Sequence, residues 1–211
     1  MTDVLIPGGR DVRGSRDGPA DPDALVVACP PHPRHGGSRT DGRLRAVGDA
    51  LTDRGIGCLR IDYGPWDEGV GEREDVRNAV RWAADQADRV GLFGYSFGAS
   101  EAILAAASVD REIAAVSALA PTASLGPELD VVAALGELDE GAALQVLYGS
   151  RDETVDWRPV VDRARERDAA VVELSGDHFF VGQRLKIAER VGAFLDAELR
   201  DGADDGGPST P

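Results

Sequence analysis

Three side chains of this sequence have the types and the order needed for covalent catalysis: Ser96, Asp152 and His178. Ser96 lies in Gly94-Tyr95-Ser96-Phe97-Gly98, between the short apolar run Arg89–Phe93 and the small-residue run Ala99–Ala107. A strand, a sharp turn with a glycine on each side, and a helix would hold the serine in a strained backbone conformation with its hydroxyl exposed. A serine hydroxyl is a weak nucleophile at neutral pH and needs a histidine base, itself oriented by a carboxylate. Of the three histidines, His32 and His35 share one early loop, whereas His178 sits in Ser175-Gly176-Asp177-His178-Phe179-Phe180, directly after the last apolar run. The expected carboxylate is Asp152, in Tyr148-Gly149-Ser150-Arg151-Asp152, with Glu153 and Asp156 as alternatives. Such a set performs acyl transfer. The developing oxyanion needs two backbone N–H donors. One is expected from Phe97, and the other from the loop His32-Pro33-Arg34-His35-Gly36-Gly37, at Arg34 or else at His35 or Gly36. Trp66, Phe97, Phe179 and Phe180, with His32 and His35, are candidate pocket walls, the four aromatics reading equally as core packing; the two histidines are read as loop-shaping or surface residues rather than proton carriers.

These groups can meet only if the chain brings several strand ends to one face. Ala24–Cys29 is a continuous apolar run, as in a strand buried on both faces. Further strands are expected at 56–61, 89–93, 113–119, 144–148 and 169–174, with one or two weak edge strands in 2–14. Helices are expected at about 42–54, 72–88, 99–107, 158–167 and 181–199. Strand and helix alternate, which implies a mostly parallel sheet covered by helices on both faces, with ligands at the carboxyl ends of the strands. Every candidate residue above falls in a loop after a strand or at the start of the helix that follows it. Residues 1–200 read as one α/β domain, and the polar stretch 201–211 as a disordered acidic tail.

The 211 residues carry 38 Asp and Glu against 23 Lys and Arg, a net charge of −15, and Lys186 is the single lysine. That balance excludes a nucleic-acid binder, which needs a positive stripe. It suggests a salt-rich cytoplasm like that of halophilic archaea, where a Debye length near about 3 Å screens carboxylate repulsion. No apolar run is long enough to span a bilayer, and the N-terminus lacks a signal-peptide pattern. A cytoplasmic protein with no membrane partner, monomeric or homodimeric, is the expectation. Cys29 and Cys58 fall in apolar strands and read as buried thiols, and no metal or other cofactor is called for.

The order Ser, Asp, His is that of the α/β-hydrolase fold, and other motifs narrow the likeness. The chain resembles the small, cap-less, dienelactone-hydrolase-like group of predicted hydrolases. It shares an H-P-x-x-G-G loop at His32–Gly37, a G-x-G-E stretch at Gly69–Glu72 and a D-H-F-F motif at Asp177–Phe180. The similarity runs from Leu25 to Leu199 and implies a three-layer fold without a cap domain. Only 121–143 lies where caps commonly enter, with room for one short helix. Two departures stand out. The group's common R-G-x-G-x-S loop is replaced by Asp62-Tyr63-Gly64-Pro65-Trp66, and dienelactone hydrolases proper use cysteine where Ser96 stands. The resulting expectation is a serine hydrolase of a small ester or thioester, forming an acyl-enzyme on Ser96. A non-catalytic binding protein of the same fold, or a peptidase or acyltransferase on the same triad, remain open alternatives.

Overall fold

A computed structural model describes residues 1–200; the tail expected at 201–211 lies outside them. In chain order the strands are β1 (Thr2–Ile6), β2 (Val12–Asp17), β3 (Ala24–Cys29), β4 (Gly57–Asp62), β5 (Arg89–Tyr95), β6 (Ala115–Leu119), β7 (Ser124–Gly126), β8 (Leu129–Asp130), β9 (Ala143–Gly149) and β10 (Ala170–Leu174). The helices are α1 (Gly42–Thr52), α2 (Val70–Ala84), α3 (Phe97–Ala106), α4 (Val131–Glu137), α5 (Arg158–Glu166) and α6 (Arg184–Arg200). Eight strands form one sheet in the order β1-β2-β4-β3-β5-β6-β9-β10. The β1–β2 and β2–β4 pairs are antiparallel, and all the others are parallel.

The sheet separates two apolar layers. In β3, Leu25, Val27 and Cys29 join the layer that includes α2, α3, α4 and α5, while Ala24, Val26 and Ala28 join the layer under α1 and α6. Side chains alternate with a period of two, yet both faces are covered, which is why the run is apolar throughout. Cys29 and Cys58 are both free and buried, and they belong to opposite layers. Burial pushes the Cys58 thiol up to about 12.

Two helix starts and one connection differ from the sequence expectation in ways that bear on the site. Helix α2 begins at Val70 rather than 72, because the Glu72 carboxylate accepts the N–H groups of Asp67 and Gly69 at 2.9 and 2.8 Å and so supplies the helix start. Helix α6 begins at Arg184 rather than 181, because Phe180 (φ 48°) and Gly182 (φ 76°) both hold left-handed backbone that a helix cannot contain. Between β6 and β9 the chain forms a small β7–β8 hairpin as well as the short helix α4.

The turn from β5 into α3 is tightly packed. Ser96 has φ 57°, and its N–H donates to the Leu119 carbonyl of β6 at 2.8 Å. A Cβ on Gly94 would fall 2.1 Å from the Gly98 carbonyl oxygen, and one on Gly98 would fall 2.3 Å from the carbonyl oxygens of both Cys29 and Pro30. The elbow therefore touches the end of β3 backbone to backbone. Behind it, Glu101 of α3 is fully buried, and neither carboxylate oxygen has a hydrogen-bond partner among the described residues. Burial, with the charge of Glu72 adding to it, raises this carboxyl well above its usual range.

Two stability outcomes follow. Gly98→Ala lowers Tm by about 5–10 °C, for an overpacking cost of about 2–3 kcal/mol, whereas Gly126→Ala, with open space around it, shifts it by less than about 1 °C; calorimetry on both variants checks this. Glu101→Met raises Tm near pH 8 by about 3–6 °C by removing an unsatisfied buried polar group worth about 1–2 kcal/mol. A raised folded-state pKa means the unfolded chain releases this proton first as pH rises, so wild-type stability falls above the ordinary carboxyl pKa and the gain shrinks towards about pH 4.

Candidate active site

The carboxyl ends of β5, β9 and β10 deliver the three predicted groups to one point. Ser96 Oγ lies 2.8 Å from His178 Nε2, and His178 Nδ1 lies 2.7 Å from Asp152 Oδ2. A carboxylate can only accept, so Nδ1 carries the proton and Nε2 is left to accept from the serine hydroxyl. His178 and Asp152 are 5% and 3% exposed, a setting in which the link between them is poorly screened. The loops that carry them are tied together. Ser150 N–H donates to Leu174 O and Arg151 N–H to Gly176 O, both at 2.9 Å. Asp152 Oδ1 accepts the Thr154 N–H at 2.9 Å, which fixes the carboxylate's rotation. Glu153 and Asp156 are exposed, and neither carboxylate bonds His178.

A second set of contacts, not anticipated from sequence, holds the histidine's backbone. The Tyr95 hydroxyl, 3% exposed as a residue, donates to the His178 carbonyl at 2.9 Å. Burial pushes this phenol up to about 12, so it stays protonated and keeps donating. The Arg43 guanidinium lies 4.1 Å over the Tyr95 ring, donates to the Phe179 carbonyl at 2.9 Å, and is gripped by Asp41 at the N-cap of α1. Tyr95 was visible as the variable residue of the serine motif. Arg43 carried no signal, because its partners are remote backbone carbonyls rather than a motif.

Amides in the early loop are distributed differently from expectation. Arg34 N–H donates to the His32 ring at 3.2 Å, His35 and Gly37 N–H to His32 O at 3.0 and 3.1 Å, and Gly36 N–H to Pro33 O at 3.2 Å. All three positions considered from sequence are thus engaged within the loop. The His32 N–H is the loop donor that has no acceptor among the described residues, as is Phe97 N–H at the first position of α3. The sequence did hold a signal: His32 lies between Pro31 and Pro33, neither of which has an N–H.

The cleft over Ser96 measures about 510 Å³ and is walled by His32, His35, Phe97, Leu125, Val155 and Phe179, among others. His32, His35 and Phe179 thus line this cleft, whereas Trp66 and Phe180 do not. Trp66 packs behind the wall, 4.5 Å from the His32 ring and 5.7 Å from Phe97, and Phe180 is 2% exposed against Tyr95. The His32 ring stacks on His35 at 4.5 Å, and desolvation, followed by the neighbouring His35 and Arg34, lowers its pKa. A neutral His32 suits its acceptor role toward Arg34 N–H.

No family model matches the chain, and no curated protein does. Solved structures do. An α/β serine hydrolase homologue from Coxiella burnetii is 26% identical with a TM-score of 0.75, over 92% of this chain and 97% of that one. An α/β serine hydrolase without a lid, from Xanthomonas campestris, is 24% identical with a TM-score of 0.70, over 100% and 96%. A dienelactone hydrolase from Anabaena variabilis is 21% identical with a TM-score of 0.75, over 94% and 98%. All three sources are bacteria, and nothing in the likeness supports the halophilic archaeal origin that the acidic composition suggests. No helix among the described residues is long and apolar enough to cross a membrane. With its mostly parallel sheet between two helical layers and only a hairpin and a short helix where a cap would enter, the chain has the α/β-hydrolase fold without a cap domain.

Proposed function

We propose that this chain is a serine hydrolase that cleaves a small ester or thioester through an acyl-enzyme on Ser96. The observation that carries the reading is the unbroken relay from Ser96 Oγ to His178 to Asp152, at 2.8 and 2.7 Å. In the first half-reaction His178 Nε2 takes the hydroxyl proton as Ser96 Oγ bonds the substrate carbonyl carbon. His178 then gives that proton to the leaving oxygen or sulfur as the old bond breaks. In the second half-reaction water replaces the serine by the same proton route. Asp152 keeps the imidazole in the required tautomer and stabilises its charged form without taking the proton. The carbonyl oxygen, negative in each tetrahedral intermediate, is received by the Phe97 and His32 main-chain N–H groups, both of which lack an acceptor among the described residues. Tyr95 and Arg43 position the histidine by holding the carbonyls of His178 and Phe179. Hydrolase and esterase neighbours agree with the reading. Two unpaired buried thiols fit a reducing compartment such as the cytoplasm.

A fluorophosphonate probe labels the wild-type protein and fails to label Ser96→Ala; labelling that survives this substitution overturns the assignment. Ser96→Ala and His178→Ala each lose about 10⁴-fold or more in kcat on p-nitrophenyl acetate, and Asp152→Asn loses about 10⁴-fold. Tyr95→Phe removes a single positioning bond, so kcat falls about ten-fold while KM stays within about two-fold; steady-state kinetics separates the two parameters.

A further inference from the structure

Large apolar side chains that stand in solvent are unevenly placed in this molecule. Six are exposed among the described residues, and three of them, Phe179, Val181 and Leu185, fall within seven residues immediately after His178. The backbone sets them there. Left-handed Phe180 and Gly182 turn the Phe180 ring into the core and leave its neighbours outside, with Val181 85% and Leu185 73% exposed. The segment is held at several points: Phe179 O by Arg43 at 2.9 Å, Phe180 O by the Gln183 N–H at 3.0 Å, and Ser175 O by the Gln183 side chain at 2.9 Å. Presenting apolar surface from a fixed loop costs solvation free energy with no return inside the monomer. The patch borders an open cleft of about 580 Å³ that also includes Gly42 and Arg184, and this cleft shares Arg43 and Phe179 with the cleft over Ser96. The two clefts adjoin at Arg43 and Phe179, so the apolar groove lined by Val181 and Leu185 opens beside the serine cleft, on the side of the His178 loop.

Reaction geometry says which part of a substrate enters that groove. The carbonyl oxygen must face the Phe97 and His32 amides, and His178 must reach the leaving oxygen to protonate it. The leaving group therefore lies on the histidine side, beside Phe179. Resting on the acyl-transfer reading above, we propose that the Phe179–Val181–Leu185 groove is an alcohol-side subsite, which makes the preferred substrates esters of n-alkyl alcohols of about six carbons or more. As Ser96 Oγ bonds the carbonyl carbon and the ester C–O bond breaks, His178 transfers its proton to the alkoxide. The long alcohol then departs along the groove, leaving the acyl group on Ser96.

The test uses acetate esters of ethanol, butanol, hexanol and octanol, which share one acyl-enzyme and nearly one leaving-group acidity. A methylene covered on one side is worth about two-fold, so kcat/KM rises about 60-fold over the six methylenes from ethyl to octyl acetate. Val181→Asp and Leu185→Asp, both at exposed positions that fold without them, bring the octyl-to-ethyl ratio down to near unity. They leave the slope of the matched series from ethyl acetate to ethyl octanoate as it is in wild type. A flat alcohol series in wild type overturns the proposal, as does a loss that falls on the acyl series instead. Sedimentation showing a dimer that the Asp variants dissociate, with the alcohol slope intact, assigns the patch to a second copy of the chain and also overturns it. Calorimetric binding of 1-octanol to Ser96→Ala, lost in Ser96→Ala with Leu185→Asp, supports the groove independently of turnover. If that binding holds while no ester is cleaved, the acyl-transfer reading fails and the apolar site stands.

Discussion

The carbonyl oxygens of Cys29 and Pro30 occupy the space that a side chain on Gly98 would need, 2.3 Å from its ideal Cβ position, so the end of β3 and the start of α3 meet backbone to backbone. The rest of the candidate site depends on that approach. It fixes where the loop after β3 begins, and therefore where the His32 N–H stands relative to the Phe97 N–H. It also leaves the strained backbone of Ser96 no room to relax, since the serine's own N–H is tied to Leu119 on the other side of β5. Strain of about 1–3 kcal/mol in such a residue persists only where the surroundings over-determine it. Here β3, β6 and α3 supply that constraint together.

Around this point the protein combines a rigid sheet with loops fixed chiefly by main-chain bonds. The Asp152 and His178 loops are joined by donors from Ser150 and Arg151, and the histidine's carbonyl and the next one are held by Tyr95 and Arg43. Holding a histidine through its backbone leaves its ring free to exchange protons while its position stays fixed. Two of the carboxylates at this face have cationic or imidazole partners. Arg43 and Asp41 form a neutral pair at the cleft edge, and Asp152 faces the imidazole. Glu101, by contrast, is a buried acid with no assigned task, its carboxyl raised well above the usual range by burial and by the charge of Glu72.

What could be read from the sequence, and what could not, follows from the range of the forces involved. Apolar runs such as Ala24–Cys29 and the glycines around Ser96 report local requirements, and these located the strands, the elbow and the order of the three catalytic candidates. Asp152 was separated from Glu153 and Asp156 by its position at a strand end, and it is the one of the three whose carboxylate meets His178. Features made by remote partners were out of reach. Arg43 works through the carbonyl of Phe179, 136 positions away. The spare amide of the early loop depends on which N–H groups the loop spends on itself, so Arg34 was favoured where His32 is the unspent donor. Phe180 reads like Phe179 in the sequence, and only the left-handed turn sends one ring inward and the other out.

The insertion between β6 and β9 is small, a two-stranded hairpin and seven residues of helix, with Leu125 reaching the cleft wall. Nothing in the described residues has to swing aside before a substrate reaches Ser96. Larger enzymes of comparable chemistry often spend part of each cycle opening and closing a cover, and that motion can limit turnover. This architecture dispenses with such a gate. On the proposed chemistry, no cover would have to open before a substrate, or the water that follows it, reached Ser96, and small molecules would come and go by diffusion across an open face.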